Sequence, residues 1–271
     1  MAREGRHLLI RNGRDVFTVP FDDLDSVTII GHPRISNAAI ESLVREDSSV
    51  TYLTNHGRFR GRWSGATTGT VERRVAQYTR FTDADYLRQF ACGIVSAKLT
   101  SMRSVLRHIR KHEHQSAIDR AFRLLEPWRR RTCCADDLNV IRGCEGAATA
   151  VYWHAYSAWI LPPFHFKKRV RRPPTDPVNA LLSFFATLLT TRMVSLTDAA
   201  GLDPYLGALH ATANNKPSLA LDLMEPYRAP VVDRFVARLC NLGMVKPDEF
   251  EDPDDLGVRM KTPTLKRLLN H

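Results

Sequence analysis

The sequence RFRGRWSGATTGT, residues 58–70, marks the place where one kind of secondary structure gives way to another. In its first half, Arg58 to Trp63, arginines alternate with other residues, as in a β-strand whose two faces differ. Its second half, residues 64–70, is small and polar, which is typical of a linker. From Val71 onward apolar residues recur every three or four positions, and this spacing predicts helices. The boundary between two domains is therefore expected here.

The residues before this boundary predict a small sheet with one helix. Asn12-Gly13 is a pair that tolerates the positive φ angles of a two-residue hairpin turn. Ser36 can cap a short helix over residues 37–45. Four runs of aliphatic or β-branched residues are predicted strands: residues 7–10, 15–19, 27–30 and 50–54.

The residues after the boundary predict helices only. One long amphipathic helix should run from about Tyr86 to Pro127, which should end it. Gly143 should open a further helix, in which small side chains let another backbone come close. Asp176 caps the next helix. The predicted fold class is α+β, with these domains: an N-terminal β domain with one short helix (residues 1–64), a linker (residues 65–72) and a larger all-α C-terminal domain (residues 73–271).

Composition narrows the class of protein. Of the 271 residues, 44% are apolar, which excludes a wholly disordered chain. Lys and Arg number 39 and Asp and Glu 29, so the net charge is +10 and polyanions are the expected partners. Five cysteines form no disulfide framework, which favours a reducing cytoplasm. We expect no signal peptide, no apolar stretch of about 18 residues and no membrane partner.

Two groups of basic residues are candidate phosphate contacts. The first is the basic helix face, which we define as Arg103, Arg107, Arg110 and Lys111; Lys98 is predicted on the same polar side. The second is the basic loop, which we define as Lys167, Lys168, Arg169, Arg171 and Arg172. The alternative for both groups is an ordinary solvated surface.

Common catalytic motifs are missing from the sequence. There is no GxGxxG, GxxxxGK[ST], GxSxG, HExxH or CxxC, so nucleotide-driven, serine-hydrolase and zinc-ribbon chemistries have no support. What remains are ionisable residues in apolar or small-residue segments: Glu145, His210, Asp222 and Glu225. Asp222 and Glu225 would share one helix face. Alternatively, Pro226 opens a helix and the two acids merely cap it.

Four motifs between Gly143 and Asn241 carry a family resemblance. They are GCEGAATAVYW, RRPPTDPVNALLSF, GLDPYLGALH and KPSLALDLMEPYRAPVVDRFVARLCN, in this order. They closely resemble the CRISPR-associated integrase and endonuclease of spacer acquisition, the Cas-one family, and the N-terminal segment is similar to the β domain of that family. The resemblance implies that Glu145, His210 and Glu225 hold a metal ion, with Asp222 as the accompanying aspartate.

The resemblance also implies an activity and partners. Oxygen ligands with one imidazole suit Mg²⁺ or Mn²⁺. In the family, a DNA 3′-hydroxyl attacks a strand of the CRISPR repeat, which inserts spacer DNA by transesterification. Double-stranded DNA, a homodimer formed through the β domain and a small ferredoxin-like companion are the implied partners. Two other classes stay open: a non-catalytic basic DNA-binding protein, and a metal-dependent phosphohydrolase of smaller substrates.

Overall fold

Strands occupy the start of the chain and helices most of the rest. The computed structural model describes residues 1–54, 57, 59–65, 71–110, 116–252 and 257–269. The chain divides into two compact units, Met1–Val71 and Glu72–His271. This order of strands and helices confirms the predicted α+β fold class. Most of the predicted linker, residues 65–72, lies outside the described residues, and the linker stays a prediction.

Among its described residues, the first unit contains two three-stranded sheets, one α-helix and a short 3-10 helix (Phe21–Asp23). Its elements are β1 (Ala2–Glu4), β2 (His7–Asn12), β3 (Asp15–Pro20), β4 (Ser26–Ile30), α1 (Asn37–Arg45), β5 (Ser49–Leu53) and β6 (Phe59–Trp63). The first sheet has the antiparallel order β1-β2-β3. In the second, of order β4-β5-β6, β4 and β5 run parallel and β6 is antiparallel to β5. Helix α1 supplies the crossover that a parallel strand pair requires.

Local signals in this unit are confirmed. Asn12 pairs with Asp15, so the hairpin loop is Gly13-Arg14, one residue later than predicted. Gly13 has φ +65°, which a glycine adopts at low cost in such a loop. The Ser36 side chain accepts a hydrogen bond from the Ala39 amide at 3.3 Å and caps α1. The core of the unit consists of Leu8, Phe21, Ile29, Ala39, Leu43 and Val50.

The second unit is mainly helical. Its elements are α2 (Val71–Arg80), α3 (Ala84–Arg110), α4 (Ser116–Cys133), α5 (Leu138–Trp159), α6 (Pro177–Ala199), α7 (Ser218–Tyr227), a π-helical stretch (Arg228–Asp233), α8 (Arg234–Asn241), the strand pair β7 (Phe250–Glu251) and β8 (Arg259–Met260), and α9 (Thr262–Leu269). Helix α3 packs against α4, α5, α7 and the π-helical stretch. It is therefore the helix around which the candidate site is built.

The predicted helix end at Pro127 is wrong. Two helices, α3 and α4, occupy the segment where one helix was expected, and α4 continues past Pro127 to Cys133. A proline inside a helix removes one backbone hydrogen bond. Packing of α4 against both α3 and α5 offsets this loss, because tertiary contacts contribute more to a helix than local propensity does.

The predicted start of α5 at Gly143 is also wrong. The helix begins at Leu138, because the Asp137 side chain accepts hydrogen bonds from the Asn139 amide at 2.6 Å and the Val140 amide at 3.3 Å. At Gly143 the expected close approach of another backbone does not occur. A Cβ atom added to Gly143 would meet no atom within 4 Å among the described residues.

Helix α6 is both long and apolar. Asp176 caps it, as predicted, by accepting a hydrogen bond from the Asn179 amide at 2.8 Å. Its 23 residues are long and apolar enough to cross a membrane, which corrects the expectation that no stretch reaches this length. Its buried residues Leu181 and Leu182 lie in the helical unit, where α6 packs against α7 and α8. The absence of a membrane partner stays a prediction.

Candidate active site

Three helices of the second unit bring one lysine and two glutamates together. Lys98 lies near the middle of α3, Glu145 in the third turn of α5 and Glu225 near the end of α7. The Lys98 ammonium donates a hydrogen bond to Glu145 Oε1 and lies 2.6 Å from Glu225 Oε2. Thr149 Oγ1 also donates to Glu145 Oε1, at 3.1 Å. One positive charge thus lies between two carboxylates, Glu145 and Glu225, which we call the carboxylate pair.

The position of Lys98 corrects the sequence prediction, which placed this residue on the polar side of its helix. Its side chain is only 2% exposed. Lys98 is four residues from Ile94 and four from Met102, so it lies in phase with the apolar stripe. A buried ammonium requires anionic partners. Sequence reasoning missed this residue, although a lysine in phase with apolar neighbours was the available signal.

Glu225 is buried and ionised. Burial raises the pKa of its carboxyl group, but the charges of Lys98 and Arg228 outweigh this effect and lower the pKa to about 2. Arg228 Nη1 lies 3.9 Å from Glu225 Oε1. Although Lys98 is close to Glu225 Oε2, the approach lacks hydrogen-bond geometry, and this buried oxygen has no hydrogen-bond partner among the described residues. It is an anionic oxygen with capacity for a further cation contact.

The alternative role of Glu225 as a helix cap is wrong. Helix α7 begins at Ser218 and contains Pro226, so Glu225 lies near the opposite end of the helix from the one expected. A carboxylate at that end gains nothing from the helix dipole. The cost of burying this carboxylate is compensated by the charges of Lys98 and Arg228, not by the dipole at a helix start.

Asp222 holds the segment that carries His210. Its Oδ2 atom accepts hydrogen bonds from the amides of Ala208 at 2.7 Å and Leu209 at 2.9 Å. Its Oδ1 atom accepts from the His210 amide at 2.9 Å and lies 2.7 Å from His210 Nδ1. These contacts fill the acceptor capacity of the carboxylate, and the side chain is fully buried. Asp222 therefore orients the imidazole instead of offering a lone pair to a metal ion.

The predicted ligands are brought together only in part. Glu145 and Glu225 meet at Lys98, whereas His210 is held by Asp222. Across the part of the chain that the structure describes, no group of three or more His, Cys, Asp or Glu side chains is arranged to hold a metal ion. The convergence of all three residues on one ion stays a prediction. The donor chemistry fits Mg²⁺ or Mn²⁺, because the carboxylate pair already faces a common cation and one of its oxygens lacks a hydrogen bond.

Glu225 adjoins a buried polar network formed by Arg228, Asp233 and Tyr152. Arg228 Nε lies 3.9 Å from Asp233 Oδ1, and Tyr152 donates a hydrogen bond to Asp233 Oδ2 at 3.1 Å. The Arg228 guanidinium also lies 5.4 Å from the centre of the Trp153 ring. Burial raises the pKa of Asp233 to about 6, against the opposing charge of Arg228. The π-helical stretch aligns Arg228 with Asp233 because residues five apart share a face in a π-helix.

Comparison with known proteins identifies the family. Residues 1–271 match the family described as CRISPR associated protein Cas1. A protein of Chlorobaculum tepidum named CRISPR-associated endonuclease Cas1 1 is 34% identical over 279 residues, which cover 99% of this chain and 81% of the relative. The chain belongs to the Cas1 family.

Solved structures show the same fold. A casposase bound to an integration product superposes with a TM-score of 0.84 at 22% identity and covers 99% of this chain and 77% of its own. A Cas6-RT-Cas1–Cas2 complex gives a TM-score of 0.83 at 23% identity, with 99% of this chain and 30% of that chain covered. At these identities the likeness concerns the Cas1 fold alone.

The basic helix face of this Cas1 chain is largely used inside the protein. Arg103 Nη1 donates to Glu126 Oε2 at 2.6 Å, and Arg110 forms an ion pair with Asp119. Both guanidinium groups also lie within 5 Å of the Phe122 ring centre. These contacts join α3 to α4, and the role of Arg103 and Arg110 as DNA contacts stays a prediction. Arg107 is exposed, and Lys111 lies outside the described residues.

The basic loop likewise contains one residue that is bonded inside the protein and others that are exposed. Arg169 donates hydrogen bonds to Asn179 Oδ1 at 2.9 Å and Ser183 Oγ at 3.0 Å, so it holds the loop to α6, and its role as a DNA contact stays a prediction. Desolvation and the charge of Arg228 lower the pKa of Arg171, whereas both members of the carboxylate pair raise it. Arg171 is thus within electrostatic reach of the pair. The exposed members of the loop are Lys167, Lys168, Arg171 and Arg172.

Replacement of the carboxylate that holds His210 tests this arrangement. We expect Asp222→Asn to lower the melting temperature by at least about 5 °C, because an amide offers one acceptor oxygen where four donors converge. The amides of Ala208, Leu209 and His210 should also lose protection in hydrogen exchange. The control is Asp85→Asn, on the exposed side of α3. Equal melting temperatures for the two variants would contradict the anchoring role.

Proposed function

We propose that this Cas1 protein is a metal-dependent DNA endonuclease and integrase that inserts spacer DNA into a CRISPR array. The observation that carries the proposal is the carboxylate pair, in which buried Glu225 and quarter-exposed Glu145 meet at one buried cation in the unit that also holds the Asp222–His210 segment. The family and the endonuclease named among its relatives support the reaction class. The structural neighbour bound to an integration product supports strand transfer by this fold.

Each residue of the site has a part in the proposed chemistry. Glu145, Glu225 and His210 would hold Mg²⁺ or Mn²⁺, which when bound supplies polarisation of a phosphoryl oxygen and orients the attacking oxygen. Asp222 fixes the direction of the His210 ring. Arg171, whose pKa both members of the carboxylate pair raise, would be the contact for the phosphate that reacts there. No nucleophilic side chain is needed, in agreement with the absent serine and cysteine motifs.

The bond changes in the proposed reaction balance without an external energy source. A 3′-hydroxyl oxygen forms a bond to phosphorus in the repeat strand, and the bond from that phosphorus to the 3′-oxygen of the neighbouring nucleotide breaks. One phosphodiester replaces another, and the hydroxyl proton ends on the leaving oxygen. When water attacks instead of a DNA end, the same site gives nicking.

Substitution of His210 tests the activity. We expect His210→Ala to abolish strand transfer of a short duplex into a supercoiled plasmid bearing a repeat, and to abolish Mn²⁺-dependent nicking. Affinity for duplex DNA should stay within about twofold, because phosphate contacts away from the imidazole supply most of it. The measurements are gel-based product formation and a binding titration at the same salt concentration. A parallel loss of binding and activity would contradict this division, and unchanged nicking would refute the proposed site.

DNA binding by the exposed members of the basic loop is a separate prediction. Replacement of Lys167, Lys168, Arg171 and Arg172 by Gln should weaken binding to all sequences alike. The slope of log affinity against log salt should fall by about 0.9 for each phosphate that the variant no longer neutralises. The matched control is the pair Arg103→Gln and Arg110→Gln, whose charges are engaged with Glu126 and Asp119. If both sets changed the slope equally, the distinction between exposed and internal arginines would fail.

We further propose a homodimer formed through residues 1–64, a small ferredoxin-like companion protein and a cytoplasmic location. Two strand joinings are needed to insert a duplex, and a two-fold dimer is the commonest way to duplicate a site. Exposed apolar side chains of β3 favour this surface: Val16 is 57% and Phe17 55% exposed on a strand at the sheet edge. The complex that contains Cas1 and Cas2 supports a small partner protein.

The dimer can be tested by mass. Light scattering near 0.15 M salt should give about twice the chain mass of 30.7 kDa. Phe17→Glu should shift the mass toward the monomer, since a charge at an apolar contact is costly to bury. Val75→Glu, at a residue of similar exposure on α2, should leave the mass unchanged. A wild-type monomer would overturn the proposed dimer.

A further inference from the structure

We infer that Lys98 is the positioning residue of the proposed metal centre: its ammonium keeps the carboxylate pair assembled before an ion binds, and a divalent cation must displace it. The inference rests on the proposed function, since it concerns the same two carboxylates. It adds a residue that the family motifs in this sequence do not include. It also makes metal binding an exchange of one cation for another.

The first argument is the space between the carboxylates. Lys98 Nζ contacts Glu145 Oε1 and lies 2.6 Å from Glu225 Oε2. A divalent ion of this class binds oxygen at about 2.0–2.6 Å, and an ammonium hydrogen bond to a carboxylate measures about 2.7–2.9 Å. The two cations therefore require the same place between the same oxygens. An ion that bridges these same two oxygens must take the place of Nζ.

The second argument is the burial of charge. Glu225 is only 4% exposed, and Lys98 is 2% exposed. Glu145 is 25% exposed, so the buried negative charge is mainly that of Glu225, and removal of the cation beside it would leave that charge less well compensated. Lys98 therefore stabilises the protein before metal binding. A divalent cation compensates the same charges, so it can replace the ammonium without exposing the pair.

The third argument is the kind of cation. Lysine carries a single point charge on a flexible chain of four carbons, so its ammonium can withdraw by rotation of that chain. Arginine would present a planar fork of several donors, which binds carboxylates more rigidly. Lysine is therefore better suited than arginine to be an internal cation that moves away when a divalent ion binds the carboxylate pair. Replacement of Lys98 by a neutral side chain and replacement by arginine should thus have opposite effects on metal affinity.

The experiment measures Mn²⁺ binding by calorimetry and thermal unfolding of the full chain without DNA. Lys98→Met should lower the melting temperature by at least about 5 °C without metal and tighten the Mn²⁺ dissociation constant about tenfold or more. Lys98→Arg should weaken Mn²⁺ binding. The control Arg103→Met removes an arginine paired with Glu126 on the same helix, so it should lower the melting temperature with no change in Mn²⁺ affinity.

The outcomes separate the inference from the proposed function. Suppose that the wild-type protein binds Mn²⁺, that Glu225→Gln abolishes this binding, and that Lys98→Met binds Mn²⁺ no more tightly than the wild type. The exchange of cations would then be overturned, whereas the proposed metal centre would not. Wild-type protein that binds no Mn²⁺ would overturn the metal centre and the exchange with it. If Lys98→Met fails to fold, the double variant Lys98→Met/Glu145→Gln, which also removes one facing negative charge, should recover most of the lost stability. Failure to recover would refute the charge argument.

Discussion

Repulsion between Glu145 and Glu225 is the constraint on which the second unit depends. The two carboxylates come from different helices, and each alone would favour solvent over the interior. With Lys98 between them, the three groups carry one net negative charge instead of two, and the low pKa of Glu225 follows from nearby cations rather than from exposure. Breaking a buried ion pair by removing one partner costs about 3–5 kcal/mol, which is a large part of the 5–15 kcal/mol that stabilises a typical domain.

The helices that pack around α3 bring both carboxylates to Lys98. Helix α3 touches both α5 and α7, so a single lysine on it reaches acids that are 80 residues apart in sequence. Behind Glu225, Arg228 lies between two acids, because Asp233 is its second anionic neighbour. Tyr152 then completes the network by a hydrogen bond to Asp233. Charges of opposite sign thus alternate from the helical core toward the carboxylate pair.

Local signals in the sequence predicted local structure, whereas packing between distant segments decided the rest. The Gly13 hairpin, the Ser36 cap and the Asp176 cap each depend on a few adjacent residues, and each was found. The end at Pro127 was wrong because packing between α3, α4 and α5 decides it, and no short window of sequence contains that packing. The start of α5 is different: the cap at Asp137 is a local signal, and the prediction missed it. Family motifs supplied the acids and the histidine of the site, whose meeting in space could not be derived from their spacing. The prediction for Lys98 was wrong because it rested on the charge of the side chain and not on its position in the apolar repeat of the helix. Apolar neighbours four residues away on both sides indicated burial.

The arginines that contribute to the net charge of +10 differ in whether they have partners inside the fold. Arg103, Arg110 and Arg169 are held by partners within the fold, and Arg228 is buried behind Glu225. These arginines have internal partners, whereas Lys167, Lys168, Arg171 and Arg172 of the basic loop are exposed and available to a polyanion. Through Arg171 that loop lies within electrostatic reach of the carboxylate pair. A DNA backbone bound by the loop would bring its phosphates toward the place in the unit where the carboxylate pair already faces a cation.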